Sequence, residues 1–407
     1  MPAVLRNIGL LATCRGEGPQ AELHAVPGAA LAWNGPLIAW AGPERDLPEA
    51  YRAAGTEDAG GRLVIPGLVD CHTHLAFGGW RAGEFTERAL GRTYVEIARA
   101  GGGIASTMRE TRRASEEALF TRSRGFLEAM VRLGVTTVEG KSGYGLSVDQ
   151  ELKLLRVYQR LARESAATVV PTLLGAHVVP PEYREDRERY IALLVDELIP
   201  AAARDGLARA CDVFVEEGAF SVEEARRILL AGKAAGLAPR MHADQLTDGG
   251  GAALAAEVGA RSADHLEHVS DDGIAALAKA GVVAVSLPLA SLYLRQAPMP
   301  ARRLLDAGVS VAVATDFNPG SAPSYHLPLA LTLACIMQGM TPAESLKGAT
   351  WVAARALGIE STHGSLEPGK RADFAVIDAP DVEQWLYHFQ PNACVRTVIG
   401  GATLWAA

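Results

Sequence analysis

Between about Leu68 and Gly339 the chain alternates short apolar, β-branched runs with longer segments rich in Ala, Leu, Arg and Glu. That alternation is the pattern of repeated βα units. Eight runs can be counted: LVDCHTH (68–74), VTTVEG (135–140), TVVPTLLGAH (168–177), CDVFVEE (211–217), PRMHAD (239–244), SADHLEH (262–268), VVAVSL (282–287) and SVAVATD (310–316). Strands of a parallel sheet covered on both faces read as continuous apolar runs rather than as an alternation. Eight of them predict an α/β fold, a (β/α)8 TIM-like barrel over 66–363. An open doubly wound sheet is the competing arrangement. It is disfavoured because no G-x-G-x-x-G follows an early strand, and Gly101, Gly102 and Gly103 sit in the wrong place for one.

The two ends read differently. Residues 1–65 and 364–407 carry short alternating strands separated by Gly, Pro and Asn, as in AALAWNGPLIAWAG and VRTVIGGATLW. Neither end is long enough to bury a core alone, so the two are expected to combine in one small β domain. The charge cluster REDRER (184–189) reads as a solvated helix start.

Composition narrows the setting. With 407 residues, 49% of them hydrophobic, the chain supports one large core and a satellite. Its 39 Lys and Arg stand against 47 Asp and Glu with no basic stripe, which argues against nucleic acid and anionic membrane as partners. The five cysteines are scattered, odd in number and free of any C-x-x-C pair, so neither a disulfide framework nor a thiolate zinc site is expected. A reducing cytoplasm fits them. The first residues, MPAVLRNIGLLATCRGEG, lack the make-up of a signal or transit peptide, and no apolar stretch approaches the roughly 20 residues of a membrane span.

Candidate chemistry sits at the ends of the strands. Residues two apart on a strand share a face, so His72 and His74 can both aim inward while Cys71 and Thr73 face the helices. A lone H-x-H is weak evidence. Ionisable residues recur, however, at the ends of other predicted strands: His177, Glu216 and Glu217, His242 and Asp244, His265, and Asp316. In an eight-stranded barrel those ends open onto one face, where active sites are built. Three imidazoles and a carboxylate suit one zinc or ferrous ion with room for a water, and we take His72, His74, His242 and Asp316 as that set. Asp316, ending the apolar run VAVATD, needs a partner or a metal to offset its desolvation. Lys141 ends the second strand and is expected to pair with a carboxylate.

The stretches PGLVDCHTH (66–74), MHAD (241–244), DHLEH (264–268), ATDFNPGS (314–321) and GSLEPGKRADFAVID (364–378) resemble the amidohydrolase superfamily, over essentially the whole chain. Longer ones narrow the resemblance to the imidazolonepropionase family of histidine degradation: FGGWRAGEFTERALGRTYVEIARAGGGIASTMRETR (77–112), EGKSGYGL (139–146), GAHVVPPEY (175–183) and TDFNPGSAP (315–323).

The resemblance implies hydrolysis of a cyclic amide, opening 4-imidazolone-5-propanoate to N-formimidoyl-L-glutamate, with one divalent metal per chain and a homodimer. It implies that Arg81 offers a cation to the propionate, and that Tyr94, Tyr144 and His177 contact substrate. Asn318, Gly320 and Ser321 would line the loop that holds substrate and product. His265 and Asp316 would share the proton transfers, with His177 or His265 donating to the oxyanion. Gln245 stands where some relatives carry Glu; a Gln cannot accept and return a proton, so it is expected to hydrogen-bond the ring. Glu216 and Glu217 occupy the position of a bridging group in two-metal relatives and are read as structural.

The nearest competing reading is a one-metal deaminase of a nucleobase-like ring. Arg81 with Tyr144 argues against it, since a neutral ring needs no such cation. A metal-free scaffold of the same fold is the other, and the intact ligand set argues against that.

Overall fold

The computed structural model describes residues 2–93, 96–97 and 100–407. Eight parallel strands form the central sheet in chain order: Leu68–Asp70, Val135–Lys141, Thr168–Ala176, Ala210–Val215, Ala238–Ala243, Ser262–His265, Val283–Ser286 and Val311–Val313. Each corresponds to one of the eight apolar runs, and the second is buried at every position, as a strand covered on both faces must be. The sheet curls until its first and last strands meet. Thr73 bridges Phe317, the Asp316 amide donates to the His72 carbonyl at 3.0 Å, and the His74 amide donates to the Phe317 carbonyl at 2.9 Å. Asp70 reinforces this seam by accepting from the Thr315 amide and hydroxyl. The seam is what sets His72 and His74 beside Asp316.

Helices such as Glu116–Val131, Val148–Glu164 and Val222–Ala234 pack their apolar sides on the strands. The last of these begins with a capping box, Ser221 and Glu224 each bonding the other's amide. The REDRER cluster does open a helix, Arg187–Leu193, with Asp186 accepting from the Arg189 amide.

Both chain ends contribute to one further mixed sheet. Its order runs Ala402–Ala406, Cys394–Ile399, Phe374–Ile377, Leu63–Pro66, Pro2–Ala12, Ala25–Asn34 and Leu37–Pro43, with Gly55–Asp58 beside Pro2–Ala12. Phe374–Ile377 pairs antiparallel with Leu63–Pro66, which joins the ends directly. One element there departs from the strand pattern: Val382–Tyr387 is a helix, capped by Asp381 and burying Trp385 and Leu386 in the main core. All five cysteines are free thiols. Among the described residues, no helix is long and apolar enough to cross a membrane.

Candidate active site

At the C-terminal ends of the barrel strands the structure brings His74, Arg81, Tyr144, His177, His242, Gln245, His265, Asp316, Asn318 and Ser321 around one cavity. His72 lies just beneath. Asp316 and His265 hold φ angles of 54° and 81°, in the left-handed region that residues with a side chain enter only when the surroundings compel them. Tyr94 lies outside the described residues.

The imidazoles of His72, His74 and His242 converge, and Asp316 stands beside two of them. The Nε2 atoms of His74 and His242 are 3.5 Å apart, and Asp316 Oδ1 lies 3.5 Å from Nε2 of both His72 and His74. His72 Nε2 is buried without a hydrogen-bond partner. A tetrahedral site with arms of about 2.05 Å has edges of about 3.3 Å, so these spacings fit a divalent metal. His265 belongs to a second compact group with His72 and Asp316.

The protonation pattern agrees. Burial drives His72 and His74 well below the ordinary imidazole value, with Lys141 adding to the effect on His72 and His177 on His74. Burial also lowers His242, against the pull of Asp212. All three are therefore neutral, the form that can ligate. Burial raises Asp316 to about 7, with nearby His265 working the other way. Burial depresses His265 too, but the Glu267 carboxylate 3.7 Å away outweighs it and the net value is raised.

Beneath the candidate ligands sits a charged layer that sequence reading glimpsed only at Lys141. Asp264 Oδ2 meets His72 Nδ1, and Asp212 Oδ1 meets His242 Nδ1 at 3.0 Å. A carboxylate accepting the Nδ1 proton leaves the Nε2 lone pair free for a metal. Arg240 reaches Glu139 at 2.9 Å. The signal available in the sequence was the pair of acids inside the apolar runs CDVFVEE and SADHLEH, which no solvent could serve.

Arg81 is buried and lines the cavity, with Nε and Nη1 lacking a hydrogen-bond partner. Its nearest acid, Glu84, lies 3.6 Å away, too far for a hydrogen bond. Gly320 lies flat against the guanidinium, where any Cβ would overlap it.

Other residues take roles that sequence did not separate. Asn318 uses its whole amide inside its own loop, donating to the Asp316 carbonyl and Ser321 Oγ and accepting from the Gly320 and Ser321 amides. His177 Nδ1 lies 3.0 Å from the Gly143 carbonyl and must donate to it, and burial lowers its pKa to about 3. Its Nε2 therefore accepts and cannot donate to an oxyanion. Gly143 is required here, at φ 102°, because a Cβ would lie 2.9 Å from His177 Nδ1. Asp244 accepts from the amides of Gly249, Gly251 and Ala252, capping the next helix. Glu216 accepts from the Leu246 and Thr247 amides, and Glu217 is exposed, so both stand apart from the donors.

The amidohydrolase family pattern matches residues 63–404. An imidazolonepropionase of Myxococcus xanthus is 50% identical over 391 residues, 95% of this chain and 93% of its own. That of Geobacillus kaustophilus is 49% identical over 372 residues, 90% of this chain and 88% of its own. The chain belongs to the amidohydrolase family, in its imidazolonepropionase branch. Solved amidohydrolase structures share its fold. Escherichia coli guanine deaminase superposes with a TM-score of 0.74 at 17% identity, covering 100% of both chains. A mutant atrazine chlorohydrolase of Arthrobacter aurescens, crystallised with zinc and atraton, gives 0.72 at 17% identity over 99% of this chain and 95% of that one. Family membership and the histidine and aspartate cluster together indicate a divalent metal.

Proposed function

We propose that this chain hydrolyses 4-imidazolone-5-propanoate to N-formimidoyl-L-glutamate, with one zinc or iron ion held by His72, His74, His242 and Asp316. The observation that carries the reading beyond the family is Arg81: a buried guanidinium with unused N–H groups beside the metal donors calls for an anionic substrate group. A propionate supplies it, and a neutral nucleobase does not, which disfavours the deaminase alternative.

A divalent metal bound there supplies Lewis acidity that brings the pKa of water toward roughly 7. The chain's own groups do the rest. Asp316 accepts the proton of the water that attacks the ring carbonyl. His265, held by Glu267 and with its raised pKa, donates to the developing oxyanion and passes a proton to the departing ring nitrogen as the C–N bond breaks. His177 Nε2 accepts a ring N–H, and Gln245 and Tyr144 complete the ring's hydrogen bonds. Ser321 and Tyr94 remain substrate contacts in this scheme, while Asn318 and Gly320 act by shaping the loop and seating Arg81. Five unpaired thiols fit a reducing cytoplasm.

The test is to add chelator-treated and metal-reloaded protein to freshly made imidazolonepropionate and follow loss of the ring chromophore. Metal-dependent acceleration is expected; equal rates in both samples would overturn the assignment.

A further inference from the structure

Lys141 is fully buried, and its ammonium faces three carboxylates: Asp212 Oδ2 at 2.6 Å, Glu139 Oε2 at 3.0 Å and Asp264 Oδ2 at 3.4 Å. Two of those carboxylates hold two different proposed metal ligands, His242 through Asp212 and His72 through Asp264. A single ammonium thus joins the supports of ligands contributed by the first and fifth strands. We propose that Lys141 is a positioning residue for the metal site, clamping Asp212 and Asp264 so that His72 and His242 present Nε2 together to one ion. The inference rests on the metal-site reading given above.

The argument is an accounting of donors and acceptors. An ammonium can only donate, and a hydroxyl facing a carboxylate does the same here. Asp212 spends Oδ2 on Lys141, so Oδ1 is the oxygen left to face His242. Asp264 takes the Ser262 hydroxyl on Oδ1 at 2.6 Å and Lys141 on Oδ2, with Arg240 Nη2 a further 3.7 Å contact. With donors on their other sides, both carboxylates can only accept from the imidazoles, and each accepted Nδ1 proton leaves an Nε2 lone pair. Without Lys141, the two carboxylates would each lose a donor to Oδ2 in a dry interior. The favourable rearrangement is for one of them to turn away or to donate a proton to its histidine, which places hydrogen on Nε2 and removes a ligand. Arg240 bonds Glu139 and the Cys71 carbonyl and stays 3.7 Å from Asp264, so it does not join the two carboxylates.

The Lys141→Met variant tests this by metal competition against a chromophoric chelator, with the full chain and its fold checked by circular dichroism. The metal should bind ten- to a hundred-fold more weakly, the range for lost outer partners of a ligand. The cobalt-substituted visible spectrum should shift as well. Unchanged affinity and spectrum in folded Lys141→Met, beside a wild type that binds one metal, would overturn the inference alone. A wild type that takes up no divalent metal would instead overturn the site reading. Should Lys141→Met not fold, nitrogen NMR of metal-free wild type decides: His72 and His242 must both carry their proton on Nδ1, and a proton on either Nε2 refutes the clamp.

Discussion

Asp264 Oδ2 lies 2.6 Å from Nδ1 of His72, with both side chains fully buried. The contact joins residues 192 positions apart and determines which nitrogen of His72 is free. Asp264→Ala removes the carboxylate that accepts the Nδ1 proton, so the contact no longer fixes the tautomer. Metal affinity should fall ten- to a hundred-fold, measured by equilibrium dialysis of the folded variant. Retention of wild-type affinity would show that the contact does not select the tautomer.

His265 is expected to act as the acid of the reaction. His265→Ala should lower turnover by at least about two orders of magnitude, within the usual range for a positioned proton donor. Gln245→Glu, by contrast, should retain activity, because that position only hydrogen-bonds the ring. Steady-state kinetics on both variants checks the assignment, and unchanged turnover in His265→Ala would sink it.

Arg81→Met should cost mainly in substrate affinity. A hydrogen bond to a charged group is worth roughly 1.5–3 kcal/mol, so kcat/KM should drop about ten- to a hundred-fold. The loss should vanish with an imidazolone that lacks the carboxylate. Gly320→Ala should show the same selective defect, since its new Cβ would displace the Arg81 guanidinium. Equal losses on both substrates would move Arg81 from recognition to folding.

Metal binding should weaken as the pH falls through about 7. In the metal-free protein, burial holds Asp316 near that value, so below it the carboxyl is protonated and the metal must displace the proton. His72, His74 and His242, all lowered by burial, are neutral at pH 7 and release none there. The sign follows: affinity drops about tenfold per pH unit below 7 and levels off above it, one proton being released per ion on the acid side. Calorimetry in buffers of different ionisation heat reads that proton. A flat profile from pH 5 to 8 would contradict it.

The barrel was legible because its strands are buried on both faces, and a run such as Val135–Lys141 has to be apolar nearly throughout. The helix Val382–Tyr387 was not, being too short to show a period. His72, His74, His242 and Asp316 could be grouped on paper because a closed parallel sheet sends every strand end to one rim. Arg81 could be singled out as a cation, yet its burial and unused N–H groups could not be seen.

Local order along the chain therefore determined the strand count, the rim and the residues on it. Tertiary structure alone decided that Lys141 lies between Asp212 and Asp264, that the Asn318 amide is spent within its own loop, and that His177 donates from Nδ1 to the Gly143 carbonyl and so accepts at Nε2. The reason is physical. A strand's face follows from its own sequence, whereas the partner of a buried donor is whichever acceptor barrel closure brings within about 3 Å, from any distance along the chain.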